Sequence, residues 1–171
     1  QFDGHTGWVG ISHAAIFKDP DTQKWYYSSQ GRLPKDVAGI NASNAVMMGH
    51  VRELEWTSDG WPVVAPERYA GVPENEITKE DIVGVWEQIT MEYQYQVMQT
   101  SIDVVFNSNG TISGGMSGNW ELNTANKTLT INGNECILMD AWDWEAPVRD
   151  VTITYSGLTS NGRPIWGKKK Y

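Results

Sequence analysis

The chain has 171 residues, 40% of them apolar and 11% aromatic, which is enough for a buried core in one ordinary domain or two small ones. Its formal net charge is −8 and its sizeable basic run is confined to residues 168–170, which disfavours a nucleic-acid partner because such a partner needs Lys and Arg gathered on one face. The single cysteine, Cys136, excludes an internal disulfide and a cysteine zinc cluster, and no apolar run approaches the roughly 20 residues of a membrane helix.

The first half of the sequence predicts an antiparallel sheet of about four strands. The runs "HAAIFKD", "KWYYSSQ", "NAVMMGHVRELEW" and "GWPVVAP" have strand length and composition, and turn signals separate them. Asp19 and Asp21 flank the first turn and are interpreted as turn formers. The strands are apolar along their whole length, which predicts that both faces of the sheet are covered, as in one blade of a β-propeller packed between its neighbours.

A long connection and the first residue raise two further expectations. Residues 30–44, "QGRLPKDVAGINASN", are too many for a hairpin turn, and loops of this length are often functional, although a plain surface connection is an equal alternative. The sequence begins with Gln1 rather than Met, which predicts a processed, trimmed or fragmentary chain.

The second half predicts an accessory all-β domain. Pro, Gly and charged residues interrupt the strand pattern in residues 69–81, and we place the domain boundary between 1–74 and 75–171. Thr78 is expected to cap a short helical turn before a strand that starts near Val85. Alternating apolar runs with Asn-Gly and related turns then predict about eight short antiparallel strands in a barrel or sandwich, with Cys136 as a small core residue.

Two segments carry a family resemblance that covers nearly the whole chain. "GISHAAIFKDPDTQKWYYSSQGR" and "MGHVRELEWTSDGWPVVAPERYAG" resemble the last blade of the five-bladed propeller in arabinan-degrading enzymes of glycoside hydrolase family 43. The second half, from "IVGVWE" to "PIWGKKKY", resembles the lipocalin-like barrel that follows the propeller in the larger extracellular arabinanases. The most specific part is "DGWPVVAPERYAG" after a strand that ends in "LEW".

The resemblance implies inverting hydrolysis of α-1,5-linked L-arabinofuranosyl chains by a carboxylic acid and a carboxylate base roughly 6.5 to 9.5 Å apart. In the family these carboxylates lie in earlier blades, so no catalytic residue is assigned here, and Asp3 is not counted as one. The chain alone is therefore expected to be inactive, with the upstream propeller portion as a companion chain. The resemblance also implies a secreted, periplasmic or cell-surface location.

The resemblance also points to a metal site. The family places a histidine of the last blade beside a calcium or similar ion near the propeller axis, and "ISHAAIF" aligns His13 with it. Trp8, Ser12 and Arg32 are candidate substrate contacts, with blade packing as the alternative for Trp8 and a solvated loop charge for Arg32. The endo-acting pattern has Pro-Gly-His-Asn where this chain has Ile-Ser-His-Ala, which leaves the endo or exo mode open.

Two other functions compete with this hypothesis. A carbohydrate-binding or structural module is suggested by nine tryptophans, with Trp142 and Trp144 as a glycan platform if they are exposed and as barrel core if they are buried. A lipocalin that carries a small apolar ligand is a weaker alternative, because a barrel of about eight strands is either filled by its own side chains or holds one ligand.

Overall fold

The structure is a computed structural model that describes residues 9–32, 47–92 and 99–171. It contains an open four-stranded antiparallel sheet and a closed eight-stranded antiparallel barrel, which confirms the predicted all-β architecture and selects the barrel over the sandwich. No helix in the described parts of the chain has the length and apolar character needed to cross a membrane.

The elements follow the chain in simple order. The sheet consists of neighbouring strands β1 (Val9–Lys18), β2 (Trp25–Arg32), β3 (Met48–Trp56) and β4 (Pro62–Val64). A short helix α1 (Lys79–Ile82) leads into the barrel. The barrel strands are β5 (Gly84–Thr90), β6 (Ile102–Phe106), β7 (Thr111–Gly114), β8 (Gly118–Asn123), β9 (Thr128–Ile131), β10 (Asn134–Trp142), β11 (Val151–Leu158) and β12 (Pro164–Lys169), and β12 pairs with β5 to close the ring.

Local sequence chemistry accounts for the turns and the cap. Asn132 and Gly133 connect β9 to β10 and both have positive φ, 50° and 80°, as a two-residue type I′ hairpin requires. Thr78 forms the expected capping box, because its backbone N–H donates to Asp81 Oδ2 at 2.8 Å while its hydroxyl accepts from the Asp81 backbone N–H. Asp19 accepts the backbone N–H of Asp21 at 2.9 Å, which confirms its role in the first turn.

Aromatic side chains fill the inside of the barrel. The ring of Trp86 lies 5.3 Å from that of Tyr155 and 5.7 Å from that of Phe106, and all three side chains are fully buried. The Tyr155 hydroxyl donates to Gln88 Oε1 at 2.7 Å, so its polar end is satisfied inside the core. A barrel packed in this way favours the filled alternative over a carrier of apolar ligands.

Cys136 belongs to this core, as predicted. Its side chain is fully buried, and burial raises the pKa of the thiol to about 12. A thiol that stays protonated at neutral pH is a poor nucleophile, so Cys136 acts as a small apolar residue.

The four-stranded sheet has a much smaller core than the barrel. Its buried apolar residues among those described are Tyr26, Leu54 and Val63, together with Ala65 directly after β4. The side chains of residues 11–18 in β1 are all exposed, and Ile16 and Phe17 expose 48% and 44% of their surface. The apolar strands predict that both faces of the sheet are covered. The described residues supply no such cover for β1, which is an open edge among them.

Gly167 tests the packing of the barrel. A Cβ at this position would overlap the ring of Tyr155, which is held by Trp86 and Gln88 and has no room to move. We expect Gly167→Ala to lower the free energy of unfolding by about 3 kcal/mol, measured by urea denaturation. Gly49→Ala in β3 is the matched control, since a Cβ there meets nothing within 4 Å and should change stability by less than about 1 kcal/mol. Equal losses in the two variants would contradict this packing.

Candidate functional site

Strand β1 carries two bulges around His13. Between successive paired positions β1 advances three residues while β2 advances two, so one extra residue is inserted on each side of Ser12. The pairs that show this are Val9 with Arg32, Ser12 with Gln30, and Ala15 with Ser28. His13 lies in the second bulge with a φ of 53°, a left-handed conformation that is uncommon outside glycine. Bulges of this kind redirect a side chain, and here they set the direction of His13.

Polar neighbours hold one side of the His13 ring. Nδ1 lies 3.1 Å from the Ser12 hydroxyl and also contacts the Gln30 side-chain amide, which itself donates to the Ser12 hydroxyl at 3.2 Å. His13 is exposed, and among the described residues these contacts use Nδ1 and leave Nε2 for a ligand. The arrangement is a small polar cluster on the open edge of the sheet.

The other predicted contacts lie at different distances from this cluster. Ser12 is part of it, whereas Arg32 is the last residue of β2, half-buried and two residues beyond Gln30. Trp8, Asp3 and residues 33–44 of the predicted loop lie outside the described residues. The loop was predicted to start at Gln30, but β2 continues to Arg32, because Gln30 pairs with both β1 and β3. Sequence reasoning therefore missed Gln30 as a partner of His13.

His13 would supply one ligand of a metal site rather than a complete set. Within residues 9–32, 47–92 and 99–171, no three His, Cys, Asp or Glu side chains are grouped so that they could hold a metal ion. An imidazole with a nearby hydroxyl and an amide gives calcium few of the 6–8 oxygen ligands it prefers. The metal role of His13 stays a prediction that requires ligands from outside the described residues. His50, by contrast, is packed, with only 3% of its surface exposed, and burial followed by the positive charges of Arg52 and Arg68 lowers its pKa.

A cavity of about 310 Å³ lies between the sheet and the barrel, and it is separate from His13. Lys24, just before β2, lines the cavity, whereas Gln30, which contacts His13, is six residues further along the chain and does not line it. A series of ion pairs crosses the gap: Lys24 Nζ is 3.0 Å from Glu53 and also contacts Glu74, and Lys127 Nζ is 3.4 Å from Glu74 and 3.7 Å from Asp140. The charged walls are therefore largely paired with one another across the junction.

Trp144 is committed to the junction between the sheet and the barrel. Its indole N–H donates to the Arg68 carbonyl at 3.0 Å, and the Arg68 and Arg149 guanidinium carbons lie 4.8 and 5.6 Å from its ring. Trp142 is half-buried at the end of β10. Trp144 therefore fits neither of the two expected roles, because it is neither barrel core nor an open platform for a sugar ring.

The fold and the site define the class of this protein. An open four-stranded sheet, with a histidine in a bulge of its edge strand β1, is joined to a closed barrel that its own side chains fill. The chain belongs to the family of C-terminal lipocalin-like domains of glycoside hydrolase family 43, whose model matches residues 66–167. This confirms the resemblance seen in the sequence at the level of the family. The match begins before the boundary that we placed after residue 74.

Individual relatives extend the similarity over nearly the whole chain. The chain is 34% identical over 170 residues to a Bacillus subtilis protein named extracellular endo-alpha-(1->5)-L-arabinanase 2, covering 96% of this chain and 34% of that protein. It is 26% identical over 167 residues to the Thermotoga petrophila extracellular endo-alpha-(1->5)-L-arabinanase, covering 94% of this chain and 34% of that one. The chain thus spans about a third of the length of the curated relatives it matches.

Solved structures share the fold. The glycoside hydrolase family 43 YxiA protein from Bacillus licheniformis superposes with a TM-score of 0.81 at 28% identity, over 99% of this chain and 37% of that protein. The endo-1,5-alpha-L-arabinanase from Thermotoga petrophila gives the same TM-score at 24% identity, over 96% of this chain and 36% of that one. The sheet and the barrel therefore occur together in larger proteins.

Trp144 distinguishes a structural role from a glycan-binding role. Because its ring and N–H contact Arg68, we expect Trp144→Ala to lower the free energy of unfolding by about 2 kcal/mol and to leave migration in arabinan-containing native gels unchanged. Trp61→Ala is the matched control, since 60% of that side chain is exposed, and it should change stability by less than about 0.5 kcal/mol. Arabinan retardation that disappears in Trp144→Ala while stability is kept would make Trp144 a glycan platform.

Proposed function

We propose that this chain is the C-terminal part of an arabinan-degrading glycoside hydrolase that cleaves α-1,5-L-arabinofuranosyl linkages with inversion. The observation that carries the proposal is the 34% identity, over 96% of the chain, to a protein named as an extracellular endo-arabinanase. The names of both curated relatives support a location outside the cell for this chain as well.

The four-stranded sheet is proposed to be the last blade of a five-bladed propeller. Among the residues that the structure describes, β1 is an edge strand with no partner on its outer side, and the side chains of residues 11–18 are exposed although Ile11, Ile16 and Phe17 are large and apolar. An open apolar edge is an unfavourable end state that proteins usually cover. The upstream propeller portion of the same enzyme is the proposed companion, and its earlier blades supply the catalytic acid and base.

His13 is proposed to contribute to a calcium or similar ion at the axis of that propeller. A metal-bound histidine normally donates its second ring N–H to an oxygen, which fixes the tautomer. The Gln30 amide already contacts Nδ1, and with its oxygen turned toward Nδ1–H it would leave the Nε2 lone pair for the ion. Ser12 supports the same ring, and Trp8 and Arg32 remain proposed substrate contacts.

Reading the chain as an independent carbohydrate-binding module is less well supported. Trp144 is used between the sheet and the barrel, and aromatic side chains fill the barrel interior. The barrel is therefore better explained as a structural accessory to the hydrolase.

The test compares His13 variants in the complete enzyme that carries this chain. We expect His13→Ala to lower kcat on debranched arabinan by about 100-fold and to weaken the response to added Ca²⁺, because the ion loses its protein anchor. His5→Ala is the control, because the family resemblance gives this second histidine no role, and it should keep at least half of the activity. The 171-residue chain alone should release no sugar.

Two results would contradict the proposal. Sugar release by the isolated chain would place a catalytic pair within it. Full activity of His13→Ala with an unchanged Ca²⁺ response would remove His13 from the metal site.

A further inference from the structure

Along β10 to β12, residues that point outward from the barrel are buried as well as those that point into it. In β11, Tyr155 points into the barrel, so its neighbour Thr154 points outward. Thr154 pairs with Lys168 of β12 on this outer face, and the two residues are only 0% and 4% exposed. Met139 pairs with Thr154 on the same outer face and is 5% exposed. Residues outside the barrel core therefore cover this face: β4 packs against β11, and Glu67 in the segment after β4 binds Lys168.

A buried ion cluster stands at the centre of that contact. Lys168 Nζ on β12 lies 3.1 Å from Glu67, 2.8 Å from Asp143 and 3.4 Å from Glu145. Glu67 follows β4, whereas Asp143 and Glu145 follow barrel strand β10. Burial opposes the charge on Lys168, but the three carboxylates outweigh it, and the pKa of Lys168 is raised. One ammonium therefore joins the two halves of the chain in a setting that water screens weakly.

Contacts on both sides of this cluster extend the junction. Arg52 on β3 donates to the Ala65 and Pro66 carbonyls, and its guanidinium carbon lies 5.5 Å from the ring of Trp166 on β12. At the β3–β4 turn, the Ser58 backbone N–H donates to Oε1 of Glu135, the second residue of β10, at 2.8 Å.

The segment after β4 also completes the outer edge of the sheet. The Ala65 N–H donates to the Glu53 carbonyl, and the Tyr69 N–H donates to the Val51 carbonyl at 2.8 Å, so residues 65–69 continue along β3. Glu67 lies in the middle of this stretch. The residue that binds Lys168 is therefore part of the backbone that pairs with the sheet.

We propose that the function of the barrel is to act as a clasp, a folded surface that holds the outer edge of the four-stranded sheet in place through Glu67 and Lys168. Within the described parts of the chain, the sheet has few buried apolar residues of its own and an open β1 edge, and an isolated sheet of this size is marginally stable. The barrel has a complete aromatic core and does not need the sheet in the same way. The clasp rests on the contacts between sheet and barrel, and it rests on the proposed function only where the sheet is called a propeller blade.

Hydrogen exchange measured by mass spectrometry tests the clasp in the 171-residue chain. Glu67→Ala removes the sheet's carboxylate and leaves Lys168 paired with Asp143 and Glu145, so the barrel keeps its own contacts. We expect amide protection in β2 and β3 to fall at least about tenfold, and protection in β6 to β9 to change less than about twofold. Glu135→Ala, which cuts the second contact at Ser58, should give a smaller loss that is also confined to the sheet.

Asp103→Ala is the matched control. Asp103 pairs with Lys170 at 3.1 Å within the barrel, so its removal breaks an ion pair without touching the junction and should leave the sheet unchanged. Equal loss of protection in sheet and barrel with Glu67→Ala, or no loss in the sheet, would overturn the clasp. Neither result bears on arabinan hydrolysis, so the clasp and the proposed function can fail separately.

Discussion

The placement of one buried lysine governs how the two halves of this chain are joined. Lys168 points away from the barrel core, and three carboxylates within 3.4 Å surround its ammonium. Burying an ammonium is costly unless it is paired and hydrogen-bonded, and the carboxylate of Glu67 completes the pairing that two barrel carboxylates begin. Two of the carboxylates come from the barrel and one from the segment that borders the sheet, which ties the position of that segment to the barrel wall.

This constraint gives the sheet two unlike edges. On the β4 side, residues 65–69 continue along β3, and Glu67 within this stretch binds Lys168 of the barrel. On the β1 side, no described residue pairs with the edge and its apolar residues are exposed. Two bulges direct His13 outward, with Ser12 and Gln30 against its Nδ1. A sheet that is fixed along one edge and open along the other is suited to be the final member of a larger ring. In the proposed propeller, the barrel would hold the blade from outside while His13 would face the axis.

Features with local causes could be predicted from the sequence. The Asn-Gly turn at residues 132–133 and the helix cap at Thr78 depend on residues close in sequence, and an Asn-Gly turn in this half and a cap at Thr78 were both expected. The number of strands in each half also followed from alternation and turn spacing. Local chemistry determines these features, so one sequence is sufficient to identify them.

Features that depend on distant residues were missed or left open. Lys168 was grouped with its neighbours as a basic run near the end of the chain, yet its partner Glu67 is 101 residues away in sequence. Gln30 was assigned to a loop because the bulges that bring it to His13 leave no mark in the alternation of β1. Trp144 was weighed as core or platform, and its actual role at the junction depends on Arg68, 76 residues earlier.

Differential scanning calorimetry of the chain tests the junction most directly, by comparing the calorimetric enthalpy of unfolding with the van't Hoff enthalpy. If the sheet and the barrel are joined as described, the chain should unfold in one transition with equal enthalpies. Two separate transitions, with the sheet melting before the barrel, would contradict the central claim that contact with the barrel holds the sheet in place.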